Sequence, residues 1–134
     1  MIEVVLNSNS AAAEKRILAM KPTLVSTYKL IKAAVRPGTK VFASPYVNFI
    51  SVGNKIPNEA ECHRLMDLSS ATIKAAADEA NIGYIKAVEK AFVGHEMFSD
   101  DPYCGGIVGP DAAHPNAKGY YKLGEVVAEF LKSQ

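Results

Sequence analysis

The chain has 134 residues, enough for one folded domain, and 49% of them are hydrophobic and 22% charged, which is typical of a globular protein and excludes a disordered one. Fifteen basic and fourteen acidic residues leave a net charge of +1 without a long run of either sign, so we expect no nucleic-acid partner. The apolar runs are far shorter than the roughly 20 residues of a membrane-spanning helix, so we expect no such helix. Residues 1–3 lack the basic start of a signal peptide, so we expect no signal peptide in this chain.

Short β-prone runs alternate with longer helical patterns along the chain, which predicts an α/β fold. Residues 4–6 form the first predicted strand, and a polar loop and a helix over residues 11–20 follow it. We expect Lys21-Pro22 to interrupt this helix, because proline lacks the N–H that a helix interior uses. Apolar residues at three- to four-residue spacing then predict a second helix over residues 22–34.

Two further strands are predicted at residues 40–44 and 84–88. Pro45 ends the first of them, since proline cannot donate to the hydrogen-bond ladder of a sheet. Three successive β–α units predict a three-layer, flavodoxin-like parallel sheet with helices on both faces. Ligands of such sheets bind beyond the carboxyl ends of the strands, which is where the polar loops of this chain should lie.

The remaining helices lie between and after these strands. One should begin at Asn58 as its cap, with Glu61 in the position of a capping-box carboxylate, and end at a left-handed Gly83. A loop of more than twenty residues follows the third strand, and loops of that length are usually functional or disordered. The last helix covers residues 116–131 and should bury one face, made of Tyr120, Gly124, Val127 and Leu131.

The cysteines and the isolated histidines carry no metal or cofactor pattern. Cys62 and Cys104 lack the CxxC spacing of zinc and redox sites, so we expect no metal and no cofactor. They are either two buried thiols or one disulfide, which would indicate an oxidising compartment. His63 and His95 stand apart from other catalytic residue types and are predicted to be structural or solvated.

Asp111 and His114 are the residues that point to chemistry. Only two alanines separate them, so a tight turn can bring the carboxylate to the imidazole Nδ1 while Nε2 faces a crevice. A carboxylate in that place fixes the ring tautomer and stabilises the imidazolium that forms when the histidine takes a proton from a nucleophile. The same spacing is also typical of a surface turn in which Asp111 caps a helix, and spacing alone does not separate the two.

At these residues the chain resembles the SGNH hydrolases, also called the GDSL lipase and esterase family, whose last motif block reads Asp-x-x-His-Pro-Asn before a glycine. Residues 111–116 read Asp-Ala-Ala-His-Pro-Asn, and Gly119 follows them. Residues 92–103 resemble the loop before that block in secreted members. The resemblance runs from about residue 25 to the carboxyl terminus and implies that His114 is the catalytic base and Asp111 its orienting acid.

The family's nucleophile block, Gly-Asp-Ser, and its oxyanion block, Gly-x-Asn-Asp, are not present intact. If residues 8–10 stand for Gly-Asp-Ser, Ser10 is the nucleophile, but too few residues then separate it from the strand at 40–44 for the two β–α units of the family. If they belong to the Gly-x-Asn-Asp block, Asn9 is the oxyanion asparagine and Ser10 replaces an aspartate. Chain order favours this second placement, and a plain polar loop with a capping serine is the third interpretation.

The expected protein is a single SGNH-like domain over residues 1–134 that lacks the first strand and the nucleophile block. We predict an ester-hydrolase (lipase- or esterase-like) fragment, weak or inactive alone, acting on a small-molecule ester or lipid if it is active. One alternative is a non-catalytic oligomeric binding module on a degenerate hydrolase scaffold. The other is an unrelated flavodoxin-like domain with a chance Asp-x-x-His, which predicts that His114 has no carboxylate contact. An open sheet edge predicts a homo-oligomer or pairing with a missing amino-terminal half, and the resemblance implies secretion without fixing the compartment.

Overall fold

The computed structural model describes residues 9–134. In this part of the chain the helices are α1 (Ser10–Ala34), α2 (Glu59–Glu79), a 3-10 helix (Lys86–Lys90) and α3 (Ala117–Lys132), and the strands are β1 (Phe42–Ala43) and β2 (Gly83–Tyr84). The two strands pair in parallel, which confirms the α/β class. The three-layer arrangement stays a prediction, and the predicted strand at residues 4–6 lies outside the described residues.

Helix α1 runs through Pro22 without a break, so the prediction of two helices was wrong. A proline inside a helix costs about 3 kcal/mol or more, because it removes a hydrogen bond and crowds the preceding turn. Packing beyond the proline offsets this cost: Leu24 and Tyr28 pack against a buried cluster that contains Ile73 and Ala77 of α2. A fully buried apolar side chain contributes roughly 2 kcal/mol, and half-buried ones such as Leu24 and Tyr28 contribute less. Together with Val25, which is 7% exposed, these contacts can carry the helix past Pro22.

The predicted strand at residues 40–44 contains β1, but the predicted strand at 84–88 ends after Tyr84. The Ile85 N–H donates to the Ala43 carbonyl at 3.0 Å, and the chain then turns into the 3-10 helix. Ile85 and Val88 are 6% and 3% exposed. A spacing of three residues puts them on one side of a 3-10 turn, and this pattern was mistaken for the end of a strand.

Gly83 does not terminate α2 as predicted. Asn81 takes the left-handed conformation after the helix, with φ 54°. Gly83 lies in β2, where a Cβ atom would stand 2.3 Å from the ring of Phe42. The missing side chain is therefore a condition for the pairing of β2 with β1.

The start of α2 is held by a buried carboxylate and not by the predicted cap. Asn58 has a left-handed backbone (φ 56°), and its side chain makes no capping hydrogen bond. Glu59, 7% exposed, accepts hydrogen bonds from the Ser51 hydroxyl at 2.5 Å, the Asn54 N–H at 2.7 Å and the Lys55 N–H at 3.0 Å. The Glu59 carboxylate thereby fixes the loop that precedes α2.

These contacts set the protonation state of Glu59. Burial by itself would raise its pKa, but the hydrogen bonds from Ser51, Asn54 and Lys55 outweigh burial and hold the pKa below its ordinary value. The ionised carboxylate therefore stabilises the fold above the unfolded-state pKa, and this contribution is lost as the pH falls through the folded-state pKa.

The buried face of α3 differs from the predicted one by about one position. Tyr120 and Leu131 are 60% and 48% exposed. The side chains that pack on the core are half-buried, and they are Leu123, Val126, Val127 and Phe130. Phe130 meets the ring of Phe42 edge-on, with centroids 5.2 Å apart, so α3 is attached directly to β1.

Gly119 is the point of closest approach between α3 and the preceding loop. A Cβ atom there would lie 2.1 Å from the Tyr103 carbonyl oxygen and 2.8 Å from the ring of Phe92, which is fully buried. Both neighbours are fixed, one by the main chain and the other by the core. The first turn of α3 can therefore sit where it does only because residue 119 has no side chain.

Both cysteines are free thiols buried in the hydrophobic core. Burial raises the pKa of Cys104 to about 11 and also raises the pKa of Cys62, so both thiols are protonated at neutral pH and inert as nucleophiles.

Between residues 9 and 134, no helix is long and apolar enough to cross a membrane.

Two glycines of α3 form a matched pair for testing the role of Gly119. Gly119→Ala should lower the free energy of unfolding by about 3 kcal/mol, because the added methyl overlaps main-chain and core atoms. Gly124→Ala meets nothing within 4 Å and should raise stability by about 0.5–1 kcal/mol through helix propensity. Urea unfolding of both variants measures the difference, and equal stabilities would refute the close approach.

Candidate active site

The long loop ahead of α3 is folded back on itself by a short antiparallel pairing, here called the loop ladder. The Gly105 N–H donates to the His114 carbonyl and the Asn116 N–H donates to the Tyr103 carbonyl, both at 2.9 Å. Pro115 lies between these two bonds in an isolated bridge and has no N–H to donate. The loop ladder therefore presents His114 from an ordered strand-like segment immediately before α3.

The imidazole of His114 is held by the main chain. Its Nδ1 lies 2.7 Å from the carbonyl oxygen of Ala112. A carbonyl can only accept, so this bond places the ring proton on Nδ1 and makes Nε2 the nitrogen with a lone pair. Ala113, between the two residues, has the left-handed φ of 57° that folds the chain back tightly, and its N–H donates to the Gly106 carbonyl at 3.0 Å.

The predicted contact between the Asp111 carboxylate and the His114 ring is not formed, so that prediction was wrong. The turn uses main-chain groups instead: the His114 N–H donates to the carbonyl of Asp111 at 3.1 Å, and the ring takes the carbonyl of Ala112. The side chains of Asp111 and His114 are both exposed. A backbone carbonyl thus fixes the tautomer that the carboxylate was expected to fix, and catalytic roles for either residue stay predictions.

His114 lies at an apolar cleft of about 730 Å³. The cleft runs between α1, the segment after β1, α2 and α3, and its floor reaches the buried core residues Val47, Phe49, Leu65 and Met66. Tyr46 and Tyr120 are 70% and 60% exposed and stand at its rim. Most ligand sites combine such an apolar lining with a few polar groups that orient the ligand.

Besides the two rim tyrosines, the polar side chains along this cleft are His114, Ser44 and Ser69. Ser44 follows β1 directly, at the carboxyl end of the strand, and its hydroxyl contacts the Pro45 carbonyl at 3.1 Å. In residues 9–134 no serine hydroxyl makes a hydrogen bond to the His114 ring. In the described part of the chain, the cleft therefore contains the His114 imidazole without a serine hydroxyl bonded to it.

The other predicted site residues lie elsewhere. Asn9 caps α1, its side-chain oxygen accepting from the Ala12 N–H at 3.4 Å. The Ser10 hydroxyl bonds to Glu61, which makes no capping box but accepts from Arg64 at 2.7 Å and 2.9 Å. Neither Asn9 nor Ser10 is among the residues that line the cleft, so the structure does not bring them together with His114.

The two remaining histidines make structural contacts. The Asn48 amide donates to His63 Nδ1 at 3.0 Å, and His63 Nε2 lies 2.9 Å from the Ser51 carbonyl. His95 stacks on Tyr103 with ring centroids 3.8 Å apart. All of these contacts are of the kind expected for histidines outside a catalytic site.

The described fold is similar to a solved structure, the crystal structure of phospholipase A1 from Streptomyces albidoflavus NA297, with a TM-score of 0.74 and 22% sequence identity. The chain shares the fold of that phospholipase. The match covers 95% of this chain and 60% of the other, so this chain spans about three fifths of that protein's length. The suspected resemblance to the SGNH hydrolases is confirmed as a likeness of fold, and no family model and no curated protein matches the sequence.

Sequence reasoning missed the Ala112 carbonyl and the two rim tyrosines. The carbonyl has no sequence signal, because every residue carries one and only the turn geometry selects it. Tyr120 was expected to anchor α3 to the core, yet it lies at the cleft. Tyr46, two residues beyond Ser44 at the end of a predicted strand, could have been found from the rule that ligands bind at the carboxyl ends of parallel strands.

The main-chain bond predicts that Asp111 is dispensable for the ring tautomer. In Asp111→Asn the Nδ1–H form of His114 should stay dominant, because the Ala112 carbonyl is unchanged. Two-bond ¹H–¹⁵N correlation spectra of the imidazole measure the tautomer directly. A shift toward the Nε2–H form, or toward an even mixture, would show that the carboxylate holds the ring in solution.

Proposed function

We propose that the chain carries the general-base half of an ester-hydrolase site, in which His114 is the base and the apolar cleft takes the acyl part of a lipid or other apolar ester. The observation that carries this proposal is the position and hydrogen bonding of the His114 ring. Its Nδ1 is bonded to the Ala112 carbonyl, it lies at the cleft, and its Nε2 has no partner in the described chain. The likeness of fold to a phospholipase A1 supports the same class of reaction.

The chemistry follows from this tautomer. A hydroxyl nucleophile gives its proton to Nε2 while its oxygen attacks the ester carbonyl carbon, and the proton then passes to the departing alkoxide as the ester bond breaks. Water, deprotonated at the same Nε2, releases the acid from the acyl intermediate. The Ala112 carbonyl keeps the ring oriented through both steps, but as a neutral dipole it stabilises the imidazolium less than a carboxylate would.

The nucleophile is proposed to come from outside the residues that line the cleft. Ser10 is engaged with Glu61, and Ser8 lies outside the described residues. A partner chain or another segment would then supply the serine, and Asn9 as an oxyanion donor belongs to the same proposal. On this account the chain alone has only the reactivity of a well-placed imidazole.

An imidazole can itself attack an activated ester, and this gives the proposal a test. The chain alone should hydrolyse p-nitrophenyl butyrate slowly, faster than the acetate by about fourfold for each buried methylene. His114→Gln should abolish this reaction, and His63→Gln, a control histidine that does not line the cleft, should retain it. The rate should not respond to a serine-directed sulfonyl fluoride.

Three outcomes of this assay would each refute a different part of the proposal. Hydrolysis that survives His114→Gln would refute the role of His114. Fast hydrolysis that the sulfonyl fluoride blocks would refute the weak-fragment proposal and point to Ser10 or Ser8 as the nucleophile. No preference for longer acyl chains would refute the assignment of the cleft.

A second candidate is a non-catalytic binding module that assembles through its sheet. One observation favours it: in residues 9–134, β1 is hydrogen-bonded to β2 alone, on one side. An edge of this kind can pair with another strand. This candidate predicts no hydrolysis that depends on His114, so the same assay separates the two.

A further inference from the structure

We infer that Asn116 is the positioning residue for His114, acting through both ends of its side-chain amide. The Nδ2 group donates to the Pro102 carbonyl at 2.7 Å, and Oδ1 accepts from the Gly119 N–H at 3.0 Å. This inference rests on the proposed role of His114. It concerns how the ring is held and not whether it reacts.

The Asn116 amide adds a side-chain contact at the end of the loop ladder. Main-chain hydrogen bonds at the His114 carbonyl and at the Asn116 N–H flank Pro115, and a third, from the Ala113 N–H to the Gly106 carbonyl, lies on the other side of His114. Proline between them contributes no donor. The bond from the Asn116 amide to the Pro102 carbonyl extends the contact between the two segments by one residue.

The two partners of the Asn116 amide also fix its orientation. One partner is a carbonyl, which needs the NH₂ group, and the other is an N–H, which needs the oxygen. A flipped amide would place two acceptors together at Pro102 and two donors together at Gly119. The side chain therefore joins the first turn of α3 to the loop in one arrangement, two residues from the ring of His114.

The loop on the far side of Asn116 is itself anchored, so the clamp has a fixed end. Asp101 pairs with Lys118 of α3 at 2.5 Å, and its carbonyl lies 2.8 Å from His95 Nδ1. The Tyr103 N–H donates to the His95 carbonyl at 2.9 Å. The Pro102 carbonyl, between these anchored residues, cannot follow a side chain that moves away.

A single isosteric substitution separates the two ends of the clamp. Asn116→Asp keeps the oxygen that caps α3, and a negative charge is favourable at a helix amino terminus. It replaces the donor toward Pro102 with an acceptor. We expect the Tm to change by no more than about 4 °C, while the His114 ring changes from the Nδ1–H tautomer to a mixture in ¹H–¹⁵N spectra.

The rate of hydrolysis should fall when the His114 ring loses its fixed orientation. The His114-dependent hydrolysis of p-nitrophenyl butyrate should fall by about tenfold or more in kcat, with little change in KM, because orientation is lost and not the cleft. Asn116→Ser is the second variant: its hydroxyl caps the helix but is too short to reach the Pro102 carbonyl, and it should show the same change of tautomer.

Thr72→Val is the matched control, because it removes a buried hydrogen bond to the Leu68 carbonyl within α2 at 2.8 Å without touching the loop. It should lower Tm and leave the tautomer unchanged. An unchanged tautomer in both Asn116 variants, or a mixture in Thr72→Val as well, would overturn the inference. A mixture in the Asn116 variants with no His114-dependent hydrolysis in the wild type would retain the clamp and reject the proposed function.

Discussion

The hydrogen bond from His114 Nδ1 to the Ala112 carbonyl is the interaction on which the rest of the site depends. It spans only two residues, so it forms only if the chain turns sharply at Ala113 and stays turned. A left-handed alanine costs about 1 kcal/mol. The loop ladder and the attachment of α3 hold that conformation in place, which links a local strain to the packing of the whole carboxyl-terminal segment.

A carbonyl in place of a carboxylate stabilises a positively charged imidazole less strongly, but both groups can orient the ring. Two unit charges 4 Å apart interact by about 4 kcal/mol at an effective dielectric constant of 20, and the water around an exposed group reduces this further. The His114 ring is exposed, so a carboxylate beside it would be well screened. The loss is modest while the apo cleft stays wet, and it would grow if a bound acyl chain excluded water from the ring.

Much of the fold could be predicted because local signals agreed with tertiary packing. The strand at β1, the helix at α2 and the final helix were all found, and the motif around His114 was recognised. The errors arose where packing overrode local preference, as at Pro22, or where a spacing of three residues suited a 3-10 turn better than a strand, as at Ile85 and Val88. Gly119 was visible only as part of a motif, although the reason for it is steric.

The site was harder to predict than the fold, because two of its parts, the main-chain carbonyl and the cleft, do not depend on a recognisable residue type or motif. A main-chain carbonyl orients the ring, and the cleft is assembled from five segments far apart in sequence. Asp111 was assigned a role from its residue type and spacing. In the structure its main-chain carbonyl accepts a hydrogen bond within the turn, and its carboxylate is exposed to solvent. The sequence motif pointed to His114, and only the folded backbone could show which group holds its ring.

A crystal structure of the chain with 1-decanol tests the central claim most directly, since an alcohol can donate to a nitrogen lone pair and its alkyl chain requires an apolar cleft. The account predicts the hydroxyl about 2.8 Å from His114 Nε2, the alkyl chain against Val47, Phe49 and Leu65, and Nδ1 still bonded to the Ala112 carbonyl. A ring turned so that Nδ1 faces the cleft, or an alkyl chain bound elsewhere, would contradict it.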